Sequence, residues 1–141
     1  MKKVTLSKKI GWIIVFLITV IDMMVTYSSG GEANPIWGLF VSMIGFNLAS
    51  LSIGPIVSLA LFYLIVKAGG WLIRKIDKYP EGEEIVLTGL ALALVTWEVY
   101  VIFFRPFFGY LGGYSPYRVI PLLIIPLVFY VFWVDWQKKR K

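Results

Sequence analysis

"PIWGLFVSMIGFNLASLSIGPIVSLALFYLIVKAGGWLI", residues 35–73, is a nearly unbroken apolar run, and whether it crosses a membrane once or twice decides the fold. A helical crossing takes about 20 apolar residues to span about 30 Å of hydrocarbon, so the run is long enough for two. It also holds Gly38, Gly45, Asn47, Ser50, Ser52 and the Gly54-Pro55 pair, which suit one span plus a shorter element. The flanking charges discriminate between these readings, because Lys and Arg in short loops stay on the cytoplasmic side.

Three clear spans flank this region, at about 10–27, 85–104 and 120–136. Lys2, Lys3, Lys8 and Lys9 precede the first; Arg74, Lys75 and Lys78 follow the ambiguous run; Lys138, Lys139, Arg140 and Lys141 follow the last. Residues 28–34 carry no Lys or Arg, and residues 105–118 carry only Arg105 and Arg118. If both halves of the run crossed, the later basic clusters would land on the face opposite the N-terminus. One half therefore stays on the outer side. Residues 35–50 are the better choice, since Pro35 suits a first helical turn and the Ser, Asn and Gly content is highest there.

The expectation is thus an all-α membrane protein: a single domain over 1–141, forming a four-transmembrane-helix bundle with spans at about 10–27, 53–73, 85–104 and 120–136. A short re-entrant or interfacial helix over about 35–50 lies between helices 1 and 2, and both termini face the cytoplasm in a multi-pass cell-membrane protein. Trp12, Tyr27, Trp37, Trp71, Tyr110, Tyr117, Trp133 and Trp136 fall near span ends, where aromatic belts form. A basic start and "SSG" at 28–30 mimic a cleaved leader, but the apolar run continues past Asp22 to Tyr27 and reads as a retained span.

Composition agrees. Hydrophobic residues make up 59% of 141 residues and aromatics 17%, with a mean hydropathy of +0.80. The net charge of +6 resides mostly at the ends of apolar runs, so it marks topology rather than nucleic-acid binding. There is no cysteine and no histidine, which removes thiolate and imidazole chemistry and leaves carboxylates, hydroxyls, Lys and Arg. No phosphate-binding loop, Ser-Lys dyad or dinucleotide motif appears, and no cofactor is expected.

The informative residues are polar groups at membrane depth. A charged side chain near the middle of a span costs at least about 2.5–3.5 kcal/mol on insertion scales, so it needs a partner. Asp22 in the first span and Glu98 in the third both fall in the outer half, with Thr26 one helical turn beyond Asp22 on the same face. Glu32, Asn34, Arg105 and Arg118 follow on the outer side. Three carboxylates then face two arginines, leaving one proton or one bound cation to be found. If a metal binds, Asp22 and Glu98 are its ligands. Lys67 in the second span either snorkels to the inner interface or points inward to pair with Asp22 or Glu98.

Asp22, Thr26, Gly30 or Gly31, Glu32, Asn34 and Pro35 together resemble an uncharacterised family of small prokaryotic integral membrane proteins, whose first helix ends with Asp-x-x-x-Thr, a Gly turn and Glu-x-Asn-Pro. Lys67, after Gly54-Pro55, is similar to a Lys in that family's next span. The resemblance covers about residues 15–70 and nominates positions without naming a reaction.

Each group also has a plainer role. Asn34 suits an N-cap with Pro35 at the first helical position and Glu32 beside the positive helix end. Asp22 with Thr26 suits interhelical glue. Ser50-x3-Gly54-x3-Ser58 and Gly89-x3-Ala93 suit close helix packing, and "RKIDKYPEGEE", residues 74–84, reads as a solvated turn. The expected function is that of a small polytopic membrane protein binding or moving a proton, a cation or a small cationic solute at the acidic outer site. The alternatives are an intramembrane enzyme using paired carboxylates on a lipid or peptide substrate, and an accessory subunit of a larger membrane complex. Binding or transport is preferred to catalysis. The lipid bilayer is one partner, with a homo-oligomer or a larger membrane protein as the expected company and no nucleic acid.

Overall fold

The computed structural model describes residues 5–29, 41–45, 47–108 and 120–139, and these contain helices and no strand. Helix α1 is Lys8–Ser29, α2 is Leu48–Ile76, α3 is Gly82–Val99, α4 is the short Arg105–Phe108, and α5 is Ile120–Lys139. A π-helical turn, Tyr100–Phe104, joins α3 to α4 without interruption. Among the described residues, three helical stretches are long and apolar enough to cross a membrane: Lys8–Ser28, Ser52–Ile76 and Gly82–Phe107. Large apolar side chains lie open on the surface, among them Phe103, Phe107, Phe129 and Phe132, as lipid-facing helices require and soluble ones avoid.

The second span, Ser52–Ile76, begins within a residue of its expected start, but the helix that carries it begins earlier, at Leu48. Asn47, not Ile53, opens the helix: its side chain accepts from the Ser50 amide at 3.0 Å, while the Ser50 hydroxyl accepts from the Asn47 amide at 3.1 Å. This reciprocal capping satisfies two of the orphan donors at a helix start. Pro55 then lies inside the helix, where its missing N–H costs one backbone bond without ending it. Of the half-helix expected over 35–50, residues 35–40 and 46 lie outside the described residues, and residues 48–50 already belong to α2. Within it, residues 41–44 form one helical turn. Gly45 closes that turn at a φ of 81°, its amide reaching the Val41 carbonyl at 2.8 Å, the left-handed termination that glycine permits at least cost. The break between the two elements is therefore at Gly45–Asn47, ahead of Gly54-Pro55.

α1, α2 and α3 pack on one another, and α5 packs on α3. A short turn over 77–81 makes α2 and α3 antiparallel. α1 and α3 run parallel in a constant register: Gly11 abuts Leu87 and Asp22 faces Glu98, both at an offset of 76 residues. The central core joins Val15, Val66, Leu87 and Ala91. A second cluster, Tyr100 and Val101 with Val25, Trp97 and Leu122, closes the far end.

Glycine sets the tightest approach. A Cβ at Gly70 would lie 2.8 Å from the Glu83 amide nitrogen, and one at Gly82 would drive into the Gly70 carbonyl. These two glycines let α2 and α3 touch backbone to backbone beside their connecting turn. At Gly89 an added Cβ would meet Leu127 at an ordinary 3.4 Å, so the close packing expected of Gly89-x3-Ala93 is less demanding than that at Gly70 and Gly82.

Candidate functional site: a buried pair of acids

Asp22 and Glu98 meet. Asp22 lies seven residues before the end of α1, about 10 Å along the axis, and Glu98 lies sixteen residues into α3, about 24 Å from its start. Parallel packing at one offset turns these depths into a contact between carboxyl groups, within hydrogen-bonding reach. The Trp97 indole N–H donates to Asp22. Glu98 is 4% exposed, and neither of its side-chain oxygens has a hydrogen-bond partner of the ordinary kind. Two ionised carboxylates are both acceptors and cannot bond to each other. A proton shared by the two groups, or a cation held by both, satisfies them.

Glu98 is enclosed, and Asp22 is half-buried. Toward the start of α1 the pair rests on the Val15, Leu87 and Ala91 core, and toward the far end it lies beneath the Tyr100, Val101 and Val25 cluster. The π-helical turn begins two residues after Glu98. Its cause is local: the Pro106 ring would collide with the carbonyl four residues back in a regular helix, and the turn widens so that the Arg105 amide reaches the Tyr100 carbonyl instead. Such turns are frequent at functional sites.

The other nominated residues divide. Thr26 is buried one turn beyond Asp22, and Arg105 is half-buried where the π-helical turn ends. Glu32, Asn34, Pro35 and Arg118 lie outside the described residues, so the expected balance of three carboxylates against two arginines has no described geometry. Lys67 is a correction. It pairs with neither Asp22 nor Glu98, because it is at the opposite end of the bundle, where its ammonium is 3.2 Å from Glu83 Oε1.

Glu83 is the residue that sequence reasoning missed. Placed in a solvated turn by its polar neighbours, it is 8% exposed and receives three cations: Lys8 at 2.9 Å, Lys67 at 3.2 Å and Arg74 at 3.3 Å. The Gly70–Gly82 contact brings it under α2. Lys138 reaches Glu81 at 3.0 Å and caps the Tyr79 ring at 3.6 Å. The start of α1, the α2–α3 turn and the end of α5 thus gather at one basic end. Trp97 was missed as well, although an indole donor beside a buried acid is a usable signal.

Among the described residues no three His, Cys, Asp or Glu side chains converge as a metal site would require. The pair is a two-carboxyl site, suited to holding a proton or one small cation. Comparison with protein-family models, with curated proteins and with solved structures finds no match, and the chemistry of these side chains carries the functional reading.

Proposed function

We propose that the protein is a four-span membrane protein, with both termini cytoplasmic, that binds or moves a proton or a small cation at Asp22 and Glu98 in the outer half of its bundle. One observation carries the reading: buried Glu98 meets the Asp22 carboxyl, and its oxygens have no ordinary hydrogen-bond partner. A pair of acids in a low-dielectric interior cannot hold two uncompensated charges. Occupation by a proton or a cation completes the pair, and its release leaves the site strained. The gathering of Lys8, Arg74 and Lys138 at one end supports the orientation. It also supports a crossing by α5, whose 20 residues are about the length of a span. A four-helix protein that conducts would do so as an oligomer.

Thermal unfolding in detergent, titrated separately with sodium, potassium, magnesium and guanidinium, tests cation binding. A stabilisation by one of them that disappears in Asp22→Asn and in Glu98→Gln is the expected result. If the occupant is a proton, the infrared band of a protonated carboxyl group disappears in Glu98→Gln instead. If the parent protein shows neither a cation response nor such a band, the proposal is defeated.

A further inference from the structure

The side of the bundle where α1 and α5 flank α3 holds a groove of about 930 Å³, at the upper end of the range for small-molecule sites, about 300–1,000 Å³. It runs from Thr5, Leu6 and Trp133 at the basic end to Ile14, Val95 and Ile125 near mid-bundle. Its lining is nearly all apolar. One polar group there is out of place: Tyr130 is 7% exposed, lines the groove, and its hydroxyl makes no hydrogen bond of ordinary geometry, with Thr88 as a nearby polar neighbour. The neighbouring Thr88 hydroxyl is already engaged, donating to the Glu84 carbonyl at 2.6 Å and accepting from the Leu6 amide at 2.9 Å. A phenol buried against hydrocarbon without a partner is costly, and such groups usually serve an acceptor that arrives from elsewhere.

We propose that this groove binds a membrane glycerolipid, with one acyl chain lying along Ile14, Val95, Ile125 and Phe129 and an ester carbonyl accepting the Tyr130 hydroxyl proton. The apolar lining fits hydrocarbon, and the phase around these helices supplies it. The Tyr130 hydroxyl, a buried donor in this lining, fits the ester carbonyls that a glycerolipid carries at the edge of its apolar region. Trp133 marks the same depth, since indoles settle at the level of the glycerol and headgroups. A peptide would bring backbone N–H groups that this lining cannot satisfy.

The test uses the full chain, reconstituted in vesicles of dioleoylphosphatidylcholine or of its diether analogue, re-extracted in mild detergent, and assayed for retained lipid by mass spectrometry. The parent is expected to retain about one diester lipid per chain. It should prefer diester to diether by about 2–10-fold, the worth of one hydrogen bond of about 0.5–1.5 kcal/mol. Tyr130→Phe keeps the ring and loses the preference. Val95→Trp, on the half-open wall of the groove, fills the space and loses retention, with helical content by circular dichroism unchanged. Equal retention of both lipids by the parent, or an undiminished preference in Tyr130→Phe, overturns the proposal. So does a detergent-stable dimer that excludes lipid from the groove.

Discussion

Glu83 and Glu98 are the same residue on the same helix, 15 positions or about 22 Å apart, and both are buried. Glu83 has three cations on it; Glu98 has another acid. Burial alone therefore says nothing about what a carboxylate does. At the basic end the surplus of positive charge holds Glu83 ionised as a structural clasp joining α1, α2 and α3. At the far end Glu98 faces Asp22, and two carboxyl groups in contact are satisfied by sharing a proton or a cation. One end of the bundle joins an acid to three cations, and the other joins an acid to an acid.

Three substitutions break or sharpen that contrast, read by thermal or denaturant unfolding in one detergent. Gly82→Ala has the largest effect, because its new Cβ collides with the Gly70 backbone and opens the hairpin that delivers Glu83 to its cations. A loss of about 3 kcal/mol is expected, and Gly89→Ala, with its ordinary contact, serves as the unaffected control. Glu83→Gln comes next. It leaves Lys8, Lys67 and Arg74 facing one another, but their heads are 39–53% exposed and relax into water, so the expected loss is about 2 kcal/mol rather than the larger cost of a fully buried broken pair. Glu98→Gln has the smallest effect and the opposite tendency. Its amide can donate to Asp22, so stability changes by less than about 1 kcal/mol, toward gain. Should Glu98→Gln cost as much as Glu83→Gln, both acids are structural and the contrast fails.

Part of this was legible before any coordinates. Asp22 and Glu98 could be placed in one half of the bundle because helical rise converts sequence position into depth. The capping pair at Asn47 and Ser50 was also legible, but the Gly54-Pro55 pair is the louder signal in one dimension, and proline inside a span is tolerated where the rest of the helix continues. The pairing of Lys67 was left open between two readings for the same reason that Glu83 was missed. A run such as "RKIDKYPEGEE" reads as water-facing by composition, and nothing in it announces that Gly70 will seat against Gly82 and draw the first acid of α3 beneath α2.

The chain by itself determined its helical, apolar character and the depth of each ionisable group, because those follow from local hydropathy and a fixed rise per residue. It also confined the chemistry to oxygen and nitrogen groups other than imidazole and thiol. Only the packed helices decided which groups face each other. The azimuth of a side chain depends on how two helices are registered, and a parallel offset of 76 residues between α1 and α3 brings two acids into contact that, with either helix turned away, would each look into lipid.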